Sequence, residues 1–395
     1  MDYKFLLDIA LILLSTKALG LLSERIKMPQ VVGALIAGLI LGPALLGFVT
    51  ETEMLKYTAE VGVIVLMFTS GMETDINELK NSGKAALVVA MAGVLLPLAG
   101  GFVVGYFFNR PEIMGSSASA SLFLQNIFLG VILTATSVSI TVQTLRELGK
   151  LQTRAGAAIL GAAIIDDVLG IIALTIVTSF SDPSVKIFWV LLKIVLFFVF
   201  AVVVGMLFAK FYRWWAMHSK EPGPEHAIAA FVFCLLFSFI AEHFFGVADI
   251  TGAFMAGLML SNTNSEKHSH YLTDRFDGIS FLYLSPIFFA SIGLQVELES
   301  MSVMVLVFTI VLTIVAVITK IGGCGLGAKL CRYSGAESLQ IGTGMISRGE
   351  VALIVATKGA ALGLISTEMF GPVIVVVVVT TIVTPILLKL VFRDK

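Results

Sequence analysis

Charged side chains are scarce in this chain: Asp, Glu, Lys and Arg together make up 13% of its 395 residues, about half the usual share in soluble proteins. With 57% hydrophobic residues and a mean hydropathy of +0.98, no water-soluble core could take up the apolar surface, and lipid has to act as solvent. Cysteine is equally sparse. Cys234, Cys324 and Cys331 are odd in number and match no metal or redox spacing, which excludes a disulfide framework and a zinc site and leaves them as small apolar helix residues. Long hydrophilic stretches are missing too. No connection exceeds roughly 15 residues, so nothing is built for nucleotide, nucleic-acid or soluble-enzyme chemistry; the expectation is a non-enzyme without nucleic-acid partners or cofactors. The run from Phe5 to Leu22 carries no small-residue cleavage pattern and reads as a retained first helix.

What is present is a series of apolar stretches long enough to span a bilayer. They fall near residues 5–23, 30–49, 57–73, 84–108, 119–145, 155–180, 187–213, 226–245, 247–261, 277–296, 302–328, 337–358 and 368–392, which predicts an all-α polytopic membrane protein with thirteen transmembrane helices, spans 1 to 13. Threading these spans puts 17 Lys and Arg residues in the connections of one side and 5 in those of the other. By the positive-inside rule the richer side is cytoplasmic, with the N-terminus outside and the C-terminus inside.

Gly33-Ala34-Leu35-Ile36-Ala37-Gly38-Leu39 in span 2 recurs as Gly252-Ala253-Phe254-Met255-Ala256-Gly257-Leu258 in span 9, and Phe68-Thr69-Ser70-Gly71-Met72 of span 3 has a counterpart in Phe289-Ala290-Ser291-Ile292-Gly293-Leu294 of span 10. Two motifs in the same order predict a single transporter domain built from repeat 1 (about 1–180), a linker helix (about 187–213) and repeat 2 (about 226–392), that is, spans 1–6 and 8–13. A shift by an odd number of spans inverts the second copy, the arrangement typical of secondary transporters. Spans 5 and 12, which correspond in the two copies, both carry interruptions. Span 5 holds the hydroxyl-rich run Thr134-Ala135-Thr136-Ser137-Val138-Ser139-Ile140-Thr141, and span 12 holds Gly342-Thr343-Gly344-Met345-Ile346-Ser347-Arg348-Gly349-Glu350. Both read as discontinuous helices whose exposed half-helix ends flank an ion site.

Asp166 and Asp167 lie side by side in the apolar span 6. A carboxylate at mid-membrane costs roughly 2.5 to 3.5 kcal/mol on insertion scales, so an adjacent pair has no rationale as packing and marks a site for cations, protons or both. Asp166 is 12 residues beyond Arg154, about 18 Å into the membrane, and Lys320 is 9 residues before Lys329, about 13 Å deep. An Asp–Lys ion pair is therefore expected, with snorkelling of Lys320 to the interface as the second reading. Neighbouring residues on a helix point about 100° apart, so the two aspartates have different tasks: one pairs with Lys320 and the other binds the ion, with the Thr136 and Ser137 hydroxyls as further ligands. Arg348 and Glu350 are expected to neutralise the half-helix ends. Asp8, Lys17, Lys193, Glu60 and Asp249 lie near helix ends and are expected at the interface.

The segments Ala135-Thr136-Ser137, Ala163-Ile164-Ile165-Asp166-Asp167, Thr319-Lys320 and Gly344-Met345-Ile346-Ser347-Arg348-Gly349-Glu350-Val351-Ala352-Leu353 together resemble the second monovalent cation:proton antiporter family, and within it the NapA-type and GerN-type bacterial Na+/H+ exchangers. The resemblance implies an NhaA-like fold, a homodimer, and an elevator motion of the bundle carrying the breaks against a dimerisation bundle. It puts Na+ (or Li+) on Asp167 and pairs Asp166 with Lys320 for proton coupling. Adjacent aspartates in this family go with electrogenic exchange. K+/H+ exchange is the alternative, because some relatives move both ions.

Overall fold

The structure, a computed structural model, describes residues 3–26, 28–74, 76–110, 120–181, 186–218, 223–261, 266–295 and 303–393. Every regular element among these residues is a helix: α1 (Lys4–Arg25), α2 (Gln30–Leu41), α3 (Glu53–Glu73), α4 (Ile76–Phe108), α5 (Leu122–Thr134), α6 (Val138–Glu147), α7 (Arg154–Ser181), α8 (Ile187–His218), α9 (Pro224–Ile240), α10 (Asp249–Ser261), α11 (Glu266–Ile279), α12 (Ser285–Leu294), α13 (Val303–Leu330), α14 (Gly335–Gly344), α15 (Glu350–Ala361) and α16 (Thr367–Val391). Single π-helical turns, Ala241–Phe245 and Ser280–Leu284, extend α9 and join α11 to α12. Hydroxyl caps mark several starts: Thr52 accepts from the Leu55 N–H, Ser121 from the Leu124 N–H, and Ser334 from the Glu337 N–H in a reciprocal capping box.

Nine helical stretches among the described residues are long and apolar enough to cross a membrane on length and composition. The other four predicted spans are helical but fall short for identifiable reasons. The helices α2 and α10 have 12 and 13 residues, α3 carries Glu53, Lys56 and Glu60 in its first half, and span 12 is split into α14 and α15.

The chain divides into two compact units. One comprises residues 1–51, 81–187 and 290–395; the other comprises 52–80 and 188–289. In the first, α1 packs along α2, α13 along α14 and α16, and α5 along α7; in the second, α3 packs along α10 and α10 along α9. The recurring small-residue motifs make these contacts close. A Cβ on Gly38 would lie 2.0 Å from the Ala290 carbonyl oxygen, so span 2 meets span 10 backbone to backbone. A Cβ on Gly257 would lie 2.1 Å from the Phe68 carbonyl oxygen, so span 9 meets span 3 in the same way. Small residues allow such approaches in membranes. The two contacts correspond, since exchanging span 2 with 9 and span 3 with 10 turns one pair of spans into the other.

One expectation fails. Asp8 is 2% exposed rather than interfacial, because it belongs to the buried face of α1 formed by Asp8, Ile12, Thr16, Gly20 and Ser23. Lys17, Lys193 and Glu60 are exposed and Asp249 is half-buried.

Candidate functional site

The hydroxyl-rich run in span 5 ends one helix and starts another. The helix α5 stops at Thr134, Ala135 and Ser137 take extended conformations (ψ 140° and 107°), and α6 begins at Val138. In span 12, α14 stops at Gly344, residues 345–349 are non-helical, and α15 begins at Glu350. The two breaks are joined directly. The Ser137 backbone N–H donates to the Ser347 carbonyl (2.7 Å), and the Thr141 hydroxyl donates to the Gly344 carbonyl (2.7 Å). Each break therefore satisfies main-chain groups that the other leaves open, as irregular backbone inside a membrane must.

The end of α5 presents carbonyl oxygens without intrahelical donors and the negative end of a helix dipole. Two cations meet it. Arg348, fully buried, donates through Nε and Nη2 to the Leu133 carbonyl (3.2 and 2.5 Å), through Nη1 to Ile346 (2.8 Å) and again through Nη2 to Ala316 (3.2 Å). The Thr381 hydroxyl on α16 holds the Arg348 backbone by donating to its carbonyl (2.5 Å). Lys320, also fully buried, donates to the carbonyls of Thr134 (2.7 Å) and Gly93 (3.0 Å), and its third donor goes to the Asp166 carboxylate, 3.0 and 3.2 Å from the two oxygens. Snorkelling of Lys320 is thus overturned: its ammonium is spent inside the protein.

Asp166 is 1% exposed and also accepts from the Thr136 hydroxyl. That bond uses the single Thr136 proton, so the 3.5 Å approach of the hydroxyl to the Met345 carbonyl is a contact rather than a second bond. The Ser137 hydroxyl stands 3.1 Å from that of Ser139. Asp167, next on α7, is 8% exposed, more than Asp166, Lys320, Arg348, Thr136 or Ser137. The structure therefore separates a sealed pair, Asp166–Lys320, from a neighbouring carboxylate that keeps some access. Formal charge balances across the four buried groups, with two cations and two carboxylates, so a bound alkali ion or proton is an addition to a neutral set.

Of the residues expected from sequence, Asp166, Thr136, Lys320, Ser137 and Arg348 come together at the breaks, and Asp167 adjoins them on α7. The side chain of Glu350 lies outside the described residues, so the compensation assigned to Arg348 and Glu350 is seen only for Arg348, which meets carbonyls. Sequence reasoning missed Gly93, Leu133, Thr134 and Ala316, which act through main-chain oxygens; only that of Gly93 had a sequence signal, since Pro97 four residues on in α4 has no N–H to donate to it. It also missed Thr381. The tandem Thr380-Thr381 in an apolar helix was the available signal. The donor set here is oxygen throughout, suited to hard monovalent cations.

Comparison with known proteins gives the family of the chain. A protein of Bacillus cereus named Na(+)/H(+)-K(+) antiporter GerN is 40% identical over 396 residues, covering 100% of this chain and 98% of that one. A protein of Enterococcus hirae named Na(+)/H(+) antiporter is 34% identical, with 98% and 97% covered. The solved structure of the sodium proton antiporter MjNhaP1 from Methanocaldococcus jannaschii matches with a TM-score of 0.71 over 98% of this chain and 96% of that one; at 18% identity this likeness speaks to fold. The family model described as sodium/hydrogen exchanger, transmembrane, matches residues 10–394. On these grounds, and with an all-helical fold around two broken helices, the chain belongs to the transmembrane sodium/hydrogen exchanger family.

Proposed function

We propose that the protein is a secondary-active antiporter that exchanges Na+ or Li+ for H+ across the inner membrane, working as a homodimer with its N-terminus outside and its C-terminus in the cytoplasm. The observation that carries this reading is the contrast within the aspartate pair: Asp166 is held by Lys320 at 3.0 Å, while Asp167 beside it is the more accessible. Asp167 binds either the cation or a proton. Competition of the two for one carboxylate is sufficient for antiport, because neither can cross in the same passage as the other.

Lys320 supplies a second exchangeable proton. When a cation draws Asp166 into its shell, the Lys320 ammonium gives up its carboxylate partner, and this change of partner couples the second proton to the cation. A cycle that moves more protons than cations carries net charge, which is the electrogenic reading. Alternating exposure of the site by an elevator-type displacement of the unit that contains both breaks completes the cycle.

Transport by purified protein in liposomes, with Na+, Li+ and K+ offered in turn against an imposed pH gradient, tests the proposal. Cation-dependent dissipation of the gradient is expected with Na+ and Li+. Asp167→Asn should insert normally and show none; retained exchange in that variant would overturn the ion assignment. K+/H+ exchange is the second reading, favoured by the Bacillus cereus relative, whose name includes K+. Dissipation by K+ with none by Na+ would select it.

A further inference from the structure

Glu147 is the last residue of α6, ten residues beyond Ser137, which places it about 15 Å along the axis from the helix break. Its carboxylate joins two neighbours. Oε1 accepts from Gln143 Nε2 (2.9 Å) and Oε2 from the backbone N–H of Gln30 (2.6 Å), the first residue of α2. Gln30 continues the line, its Nε2 donating to Glu24 Oε1 near the end of α1 (2.5 Å). Exposure rises steadily along this file: Gln143 is 2% exposed, Glu147 and Gln30 are half-buried, and Glu24 is exposed.

Toward the break, Ser139 lies one turn before Gln143 on the same face of α6, and its hydroxyl is 3.1 Å from that of Ser137. One helical turn, about 6 Å of rise, is a distance one bridging water covers. Gln143 Oε1, buried and with no hydrogen-bond partner, is an acceptor for it. All these residues belong to one unit of the protein. From α1 the charged group facing Glu147 is Glu24; from α2 the backbone N–H groups of Gln30 and Val31 face it; Arg146 precedes it on α6 itself.

A purely architectural task for Glu147 is also visible. Pro29 stands at the N-cap of α2 and offers no side-chain cap, so the carboxylate completes that helix end from outside. A glutamine carbonyl could accept the same N–H. Capping therefore accounts for the acceptor and leaves the titratable group, half-buried on a polar line between the break and the surface, without a reason.

We propose that Glu147 carries protons between the ion site and one aqueous face, taking them from water that bridges from Ser139 and is held by Gln143 Oε1, and releasing them beside Glu24, while the amides of Gln143 and Gln30 orient its carboxylate and pass no proton themselves. Each passage is a proton transfer alone. A proton leaving the aspartate pair through bridging water converts the Glu147 carboxylate to the acid, and release to water beside Glu24 restores it. The inference rests on the antiport reading, and wild-type Na+/H+ exchange tests that reading separately.

Two fluxes in proteoliposomes separate conduction from capping: Na+/H+ exchange, which needs protons, and Na+/Na+ exchange by isotope, which needs none. Glu147→Gln keeps an acceptor for Gln30, so Na+/Na+ exchange should persist while Na+/H+ exchange falls about tenfold, less than the ~10² of a fully committed acid–base group because buffer reaches the site by other routes. Glu147→Asp, which retains a carboxyl, should recover most of the loss. Gln143→Leu, which cuts the file and leaves Glu147 in place, should lower the same ratio. An unchanged ratio of the two fluxes in Glu147→Gln, or an equal fall in both, would overturn the proposal and leave Glu147 as the cap of α2.

Discussion

The two units of the chain both bury apolar surface, but among the described residues only one of them sets buried charge inside it. In the unit of residues 52–80 and 188–289, α8 and α9 are zipped by aromatic rings. Phe208 stacks on Phe233 with centroids 3.8 Å apart, Phe233 meets Phe237 at 4.9 Å, Phe237 meets Phe200 at 5.2 Å, and Trp215 stacks on His226 at 4.4 Å. In the other unit an apolar core that includes Phe128, Leu133, Phe308 and Val376 surrounds the broken helices, and within it a lysine and an arginine spend their donors on carbonyls. The difference teaches how a membrane protein divides rigidity from chemistry. Ring packing is tolerant and spread over many residues, whereas the break site is a small set of bonds, each of which leaves a buried polar group stranded when removed.

That contrast is sharpest in the response to truncation. Lys320→Ala strands the Asp166 carboxylate and the Thr134 and Gly93 carbonyls together. Thermal unfolding in detergent should show a loss of about 3 to 5 kcal/mol, accompanied by loss of exchange. Lys320→Gln, which keeps donors but no charge, should fold better and report on coupling: charge movement on a solid-supported membrane should change, and unchanged movement would remove Lys320 as a proton carrier. In the aromatic unit, Phe208→Ala should cost about 2 to 4 kcal/mol through a packing cavity while exchange per folded molecule stays at the wild-type level. A fall in turnover equal to that of Lys320→Ala would erase the distinction between the units. The smallest effect is expected for Thr381→Val, which removes one hydroxyl bond to the Arg348 carbonyl. It should cost on the order of 0.6 kcal/mol, the usual worth of such bonds within membranes, with exchange slowed only slightly.

Much of this was legible in the chain because isolated charges in apolar surroundings announce themselves. An aspartate of the pair and Lys320 could be matched from depth, the family resemblance choosing Asp166, and the runs of hydroxyl and glycine residues located both breaks. The carbonyls of Leu133, Thr134 and Ala316 were not legible, since every residue carries one and only the fold decides which meet a buried cation, whereas that of Gly93 was signalled by Pro97 four residues on. Asp8 was misjudged for a related reason. Its distance from a helix end suggested water, but the face of α1 on which it lies is set by packing along α2, a long-range fact. The division into two units built from interleaved stretches of the chain was likewise invisible to a linear reading. Glu147 passed unnoticed because a glutamate at a helix terminus looks like any solvated end.

The guanidinium of Arg348 grips the main chain of its neighbours, and this has a consequence for how the break site tolerates change. A fork of five fixed donors recognises the shape of the polypeptide there, whatever residues compose it, so the lining positions are free to drift between side chains of similar bulk. The arginine has no such freedom. Lysine, with its single point charge, could reach one of these oxygens and would abandon the rest, so variation in this part of the molecule should pool around an immovable plug.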